Sequence, residues 1–129
     1  MDASTILKTF NDHFIDFLED VHKVFPDNST ILTAKNILTA TRKANPKLLI
    51  KIWKEYIVLK YKDQVLSGDI SFFIEKDYNK EVSSLSSSSS MIIDKIDMLR
   101  EPIRNMGKEN QDKCIKYMQN LTKLAELYN

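Results

Sequence analysis

Apolar residues recur at helical spacing along most of this chain, and that period constrains its fold more than any other feature. When residues 4–25 are placed at intervals of about 100°, the apolar ones fall within an arc of about 120°, with acidic residues opposite. Such segregation is typical of a helix that packs one face against a core. The predicted apolar face consists of Ile6, Leu7, Phe10, Phe14, Phe17, Leu18, Val21, Val24 and Phe25.

Turn-forming residues divide the next part of the chain into two further helices. Pro26-Asp27-Asn28 ends the first helix, and Ser29 or Thr30 is predicted to cap a second one that runs to about residue 43. Asn45-Pro46 is a helix start signal, which predicts a third helix at about residues 46–66. Apolar residues cover nearly half of the circumference of this third helix, so we expect it to be the central helix of the fold.

Glycine is scarce, and both glycines follow an apolar period. Gly68 is predicted to end the third helix, and Gly107 separates the last two helical segments. Asp69 can cap a short helix that ends near residue 74. Two glycines cannot supply a glycine-rich phosphate loop or a series of tight hairpins, so these classes are excluded.

The C-terminal part begins with a run of serines. Residues 83–90 contain seven serines and are predicted to form a flexible linker, since serine side chains bury little surface. Beyond it, Pro102 should kink or divide an apolar segment near Arg100, and a last helix should run from residue 108 to 128. The prediction is an all-α compact bundle of five to six helices: an N-terminal part (1–82), the linker (83–90) and a C-terminal helical pair (91–129) that packs on the same domain.

Composition narrows the class of protein. The chain has 129 residues, which is enough for one core without disulfides or a structural metal. A single cysteine forms no internal disulfide, which favours a reducing compartment. There is no basic segment followed by an apolar run and no long apolar stretch, so we expect a protein that is neither secreted nor membrane-spanning.

Two features could carry chemistry, and both are interpreted as structural. Glu19 and His22 have the spacing of a carboxylate and an imidazole that share a metal on a helix, but they lie on the polar side, opposite the phenylalanines. Cys114 lies within the apolar arc of the last helix, which predicts a buried thiol rather than a nucleophile. The sequence therefore predicts a non-enzymatic protein with no catalytic residues, no metal and no cofactor.

Charge is unevenly distributed along the chain. Residues 1–30 carry two basic and six acidic side chains, a net charge of −4, whereas residues 31–66 carry eight basic and two acidic ones, a net charge of +6. Such a basic region suits an acidic protein surface, or it is a solvated face that complements the acidic first helix or a neighbouring copy. The other alternative is nucleic-acid phosphate, although aromatic residues are not interleaved with the lysines. The candidate interaction face, which spans about 80° of the third helix, is Lys47, Lys51, Lys54 and Lys62.

Four stretches of the chain, residues 10–20, 44–54, 68–78 and 116–124, resemble a family of small all-helical proteins of the nucleocytoplasmic large DNA viruses of algae and amoebae. The resemblance includes no catalytic motif. It implies a viral structural protein, such as a minor capsid or virion component, in the virion or in the viral factory of the host cytoplasm. The implied partners are other viral structural proteins, above all capsid proteins, and further copies of the chain. The alternative is a virus-encoded nucleic-acid-binding or regulatory protein that uses the basic face.

Overall fold

The computed structural model describes residues 2–75 and 87–128 of the chain. Within these ranges the fold is a bundle of helices without a strand, so the predicted all-α class is confirmed. The elements are α1 (Ala3–Val24), α2 (Ser29–Ala44), α3 (Leu48–Trp53), a π-helical turn (Lys54–Val58), α4 (Leu59–Ser67), α5 (Ser71–Ile74), α6 (Ser87–Asp97), α7 (Arg100–Arg104) and α8 (Lys108–Leu127).

Side-chain caps fix where the first helices begin, and they correct two sequence predictions. Asn28, rather than Ser29 or Thr30, caps α2, because its side-chain oxygen accepts a hydrogen bond of 3.1 Å from the Ile31 N–H. Asn45 does not cap the third helix with its side chain. Its backbone N–H instead donates to the Thr41 carbonyl at 2.8 Å, which completes the end of α2, and α3 begins at Leu48.

Gly68 ends the third helix as predicted. Its φ of +83° lies in the left-handed region, and its N–H donates to the Val65 carbonyl at 3.0 Å. The Asp69 side chain then accepts a hydrogen bond of 3.0 Å from the Ser71 N–H at the start of α5. A left-handed residue without a Cβ therefore turns the chain from α4 into α5.

The third helix, formed by α3, the π-helical turn and α4, lies at the centre of the bundle, as the sequence predicts. It packs against α1, α2, α6 and α8, and Trp53 is 1% exposed. The Phe14 ring meets the Trp53 ring edge-on at 5.9 Å, and the Trp53 indole N–H donates to Thr122 Oγ1 at 3.2 Å. The Trp53 side chain of the third helix thus contacts both α1 and α8, and its indole N–H has a hydrogen-bond acceptor.

The C-terminal helices belong to the same core as the N-terminal ones. Ile92, Ile93 and Met118 are buried in one cluster with Phe10 and Trp53. Within the C-terminal part, α6 packs on α2 and α3, whereas α8 packs mainly on α1 and the third helix and also contacts α7. The wide apolar faces of α1 and the third helix offer more surface to bury than a C-terminal pair would.

Part of the predicted serine linker (83–90) is helical. Residues 87–90 form the first turn of α6, and residues 83–86 lie outside the described ranges. Serine is tolerated in a first turn, where the backbone N–H groups have no intrahelical partner and a short polar side chain can approach them. The division at Pro102 is confirmed, since α6 ends at Asp97 and α7 begins at Arg100.

The buried Arg100 of α7 contacts residues of α5 and the third helix. Arg100 is 6% exposed, its Nε lies 2.8 Å from Asp97 Oδ1, and its guanidinium stacks 4.2 Å from the centre of the Phe73 ring. It also donates to the Phe73 carbonyl and to the Tyr56 hydroxyl. Burial raises the pKa of the Asp97 carboxyl, while the Arg100 charge opposes that shift. The pair therefore links α5, α7 and the third helix through charge-assisted hydrogen bonds.

The left-handed conformation of Gly68 allows a prediction of how its replacement changes the free energy of unfolding. Replacing Gly68 with Ala should lower the free energy of unfolding by about 1 kcal/mol, because an L side chain at φ +83° is strained. Gly107→Ser is the matched control, since Gly107 has φ −65° and no atom lies within 4 Å of an added Cβ. Urea unfolding of both variants measures the difference, and equal midpoints would contradict the strain at Gly68.

Candidate interaction surface

The four lysines of the predicted basic face lie on the outer side of the third helix, but they are not equally accessible. Lys47 and Lys51 are exposed. Lys54 Nζ donates to the Tyr128 carbonyl at 2.9 Å, and Lys62 Nζ lies 2.6 Å from Glu126 Oε2. The C-terminal end of α8 therefore engages two of the four predicted site residues.

The π-helical turn changes which side chains join the basic face. The N–H of Leu59 donates to the carbonyl of Lys54, five residues back, so this turn holds one residue more than an α-helical turn. All later residues are rotated back by about 100° relative to an uninterrupted α-helix. Helical geometry with this one-residue insertion assigns Leu59 to the same side as Lys47 and Lys51, whereas a regular helical period assigns it elsewhere.

Leu59 is the most exposed large apolar side chain among the described residues, at 74%. It lines a groove of about 460 Å³ that carries both signs of charge, from Lys54, Lys60 and Lys62 on the basic side and from Asp63 and Glu126 on the acidic side. The sequence predicts Leu59 on the wide apolar face of the third helix, and this is wrong, because the apolar period gives no sign of a π-helical turn. We call the exposed Leu59 side chain within this groove the leucine knob.

The acidic residues of α1 do not neutralise the basic face. Asp12 forms ion pairs with Lys8 at 2.8 Å and with Arg42 of α2, and these hydrogen bonds lower the pKa of the Asp12 carboxyl. Asp20 accepts a hydrogen bond from the Tyr117 hydroxyl of α8. Among the ion pairs of the described residues, none joins α1 to the four lysines, so the charge separation seen in the sequence persists on the surface.

A second concave surface lies between α1 and α8. This α1–α8 cleft has a volume of about 370 Å³ and is lined by His13, Asp16, Asp20, Lys113, Lys116, Tyr117 and Asn120. The rings of His13 and Tyr117 lie 4.7 Å apart, and His13 Nε2 is buried without a hydrogen-bond partner among the described residues. Burial lowers the pKa of His13, and the nearby Asp16 opposes that shift.

The two sequence features that could carry chemistry, the Glu19–His22 pair and Cys114, lie in different environments. His22 Nε2 lies 3.2 Å from the Pro26 carbonyl oxygen at the end of α1, and Glu19 is exposed. Within residues 2–75 and 87–128, no three His, Cys, Asp or Glu side chains are grouped to hold a metal ion. Cys114 is 5% exposed beside Met106, and burial raises the pKa of its thiol to about 12. The thiolate that nucleophilic chemistry needs is therefore disfavoured.

No protein-family model, curated protein or solved structure matches this chain. The viral affiliation thus stays a prediction that depends on the four stretches of sequence named above. A separate finding concerns membranes: of the helices that the structure describes, none is both long and apolar enough to cross a bilayer.

The burial of Cys114 predicts slow thiol chemistry. Because its pKa is about 12 instead of 9.0, the thiolate fraction near pH 8 should be about a thousandfold lower than in the unfolded chain. Native protein should therefore react with an aromatic disulfide reagent only at the rate at which it opens, and denatured protein at once. Rapid stoichiometric reaction of the native protein would show that Cys114 is an accessible nucleophile.

The environment of His13 predicts a pH dependence of stability. The folded protein lowers the pKa of His13 below that of the unfolded chain, so the stabilising contribution is complete above about pH 6.5 and is lost as pH falls below it. His13→Gln should flatten the fall in unfolding free energy between about pH 7 and pH 5. Chemical denaturation at several pH values measures this, with His22→Gln as control. An unchanged slope in His13→Gln would contradict the assignment.

Proposed function

We propose that this protein is a non-enzymatic interaction protein, a minor capsid or virion component of a large DNA virus that acts by contact with other structural proteins. The observation that carries the proposal is the composition of the basic face. The third helix carries the exposed Lys51 and, directly after its π-helical turn, a leucine that is 74% exposed. Irregular turns of this kind occur frequently at functional sites, and burial of the leucine would favour a protein partner.

The same surface favours protein over nucleic acid as the partner. Lys54 and Lys62 already bond to the end of α8, which leaves fewer cations for phosphates. The aromatic side chains of the third helix, Trp53, Tyr56 and Tyr61, are each at most 4% exposed. They offer no stacking platform for bases. An acidic protein surface with an apolar centre matches the lysines and the leucine together.

A second candidate function is the binding of nucleic acid by a virus-encoded regulatory protein. One observation favours it: Lys47 and Lys51 are exposed, one helical turn apart, close to the exposed Lys43. A row of this kind can contact successive phosphates without reading base sequence. The two candidates differ in their dependence on salt and on Leu59.

Incorporation into particles tests the proposed function. In a virus that encodes this chain, the protein should be abundant in purified particles and resist salt extraction, as measured by quantitative mass spectrometry. Lys47→Glu/Lys51→Glu should lower its copy number about tenfold, since each reversed charge in an interface costs on the order of 1 kcal/mol or more. Lys8→Glu/Lys108→Glu, at side chains 76% and 88% exposed, is the control. Absence from particles would reject the proposal.

A DNA-binding measurement separates the second candidate from the first. Fluorescence anisotropy with duplex DNA at low salt should show no saturable binding if the basic face contacts proteins. Binding that weakens steeply with salt and is lost in Lys47→Glu/Lys51→Glu would instead support the nucleic-acid function. In that case Leu59→Asn should leave the affinity for DNA unchanged, because a leucine contributes nothing to phosphate contacts.

A further inference from the structure

His13 lies in the α1–α8 cleft with one ring nitrogen that bonds to no polar group of the described residues. This atom, Nε2, is buried, and the ring lies 4.7 Å from the ring of Tyr117. A neutral imidazole can keep its single proton on Nδ1, whereas a protonated one carries an N–H on both nitrogens. Protonation in this position therefore leaves a charged, buried N–H without an acceptor, which costs more than an unpaired neutral group. Burial accordingly lowers the pKa of His13.

The charged groups around the ring offer a second position to the protonated form. Besides His13, the titratable residues that line the cleft are Asp16 and Asp20 on α1 and Lys113, Lys116 and Tyr117 on α8. The helices α2 and α3 also pack on α1, but none of their described residues belongs to this lining. Asp16 lies three residues after His13, on the same side of α1, and is exposed. A protonated ring that rotates away from Tyr117 toward solvent therefore gains a carboxylate partner.

A small cavity beside Cys114 lies next to the cleft. Its volume is about 30 Å³, and apolar side chains of α1 and α8 form most of its wall. Asp20, Lys113 and Tyr117 line both the cavity and the cleft, so they form the partition between the two spaces. Tyr117 packs on Phe17 at 5.5 Å, and its hydroxyl donates to Asp20. The partition keeps Cys114 only 5% exposed.

We propose that His13 is a pH-sensitive switch whose protonation breaks the ring contact with Tyr117 and opens the α1–α8 cleft as far as Cys114. The two positions of the switch are a neutral ring against Tyr117 and a protonated ring bonded to Asp16. Without the His13 ring beside it, Tyr117 has room to move, so the cavity joins the cleft. A fall in pH thus acts on one contact between two helices, while the core around Trp53 stays packed. This switch goes beyond the proposed function and does not depend on it.

The rate at which Cys114 reacts with dithiodipyridine measures the opening, because this aromatic disulfide still reacts with thiols in mild acid. The rate for the unfolded chain divided by the rate for the native protein at the same pH gives a protection factor. This ratio removes the intrinsic effect of pH on the thiol. The protection factor of the wild type should fall about fivefold or more between about pH 7 and pH 5.5, since uptake of one proton can change an equilibrium by up to about tenfold per pH unit.

Two pairs of variants assign the fall to the switch. His13→Gln should remove it, because glutamine takes up no proton, and His22→Gln is the matched control on the same helix, outside the cleft lining. Asp16→Asn should move the fall to lower pH, because it removes the partner of the protonated ring. Glu19→Gln, at an exposed carboxylate outside the lining, should behave like the wild type. Circular dichroism establishes that every variant is folded, and Asp16→Asn tests the switch if His13→Gln is not.

Urea separates opening of the cleft from global unfolding. Opening of one cleft exposes little surface, so the modification rate at about pH 5.5 should change little at low urea, and the fluorescence of Trp53 should keep its native spectrum. A steep dependence of the rate on urea would show that Cys114 reacts only in the unfolded chain and would overturn the switch. A wild-type protection factor that does not change with pH, or an equal fall in His13→Gln, would overturn it as well.

Discussion

The burial of the third helix on all but one side is the constraint on which the rest of the structure depends. Trp53 lies at its centre, with Phe14 of α1 against its ring and Thr122 of α8 accepting from its indole N–H. A helix with so wide an apolar surface needs neighbours on several sides, and α1, α2, α6 and α8 supply them. The remaining side of the third helix carries exposed side chains, among them Lys51 and Leu59.

The π-helical turn connects this core to the surface. Within it, Tyr56, Ile57 and Val58 are buried in succession, and the next residue, Leu59, is 74% exposed. One additional residue in the turn widens the buried sector there. It also rotates the following segment, so that the Leu59 side chain faces solvent. The same local irregularity thus lies between buried core residues and an exposed leucine, and π-helical turns are frequent at functional sites.

The sequence predicted the helices well and the surface only in part. The periods of α1, the third helix and α8 were sufficient because each buries a broad apolar face, and Gly68 stopped α4 as its special backbone conformation requires. Which helices pack together was not readable, since α8 contacts its sequence neighbour α7 but packs mainly on α1, through contacts such as Tyr117 with Phe17. Leu59 was missed because a π-helical turn has no known signature in an apolar period.

The small net charge of the chain results from acidic and basic regions that lie in different parts of the sequence. The four lysines together suggested an electrostatic face, yet a helix terminus and a carboxylate hold two of them within the same molecule. Exposed ion pairs of this kind contribute little to stability and are screened by salt, so they can exchange partners at low cost. In the proposed contact with a protein partner, the affinity would come mainly from buried apolar area, and Leu59 is the most exposed large apolar side chain among the described residues. The charges would set the orientation of that contact more than its strength.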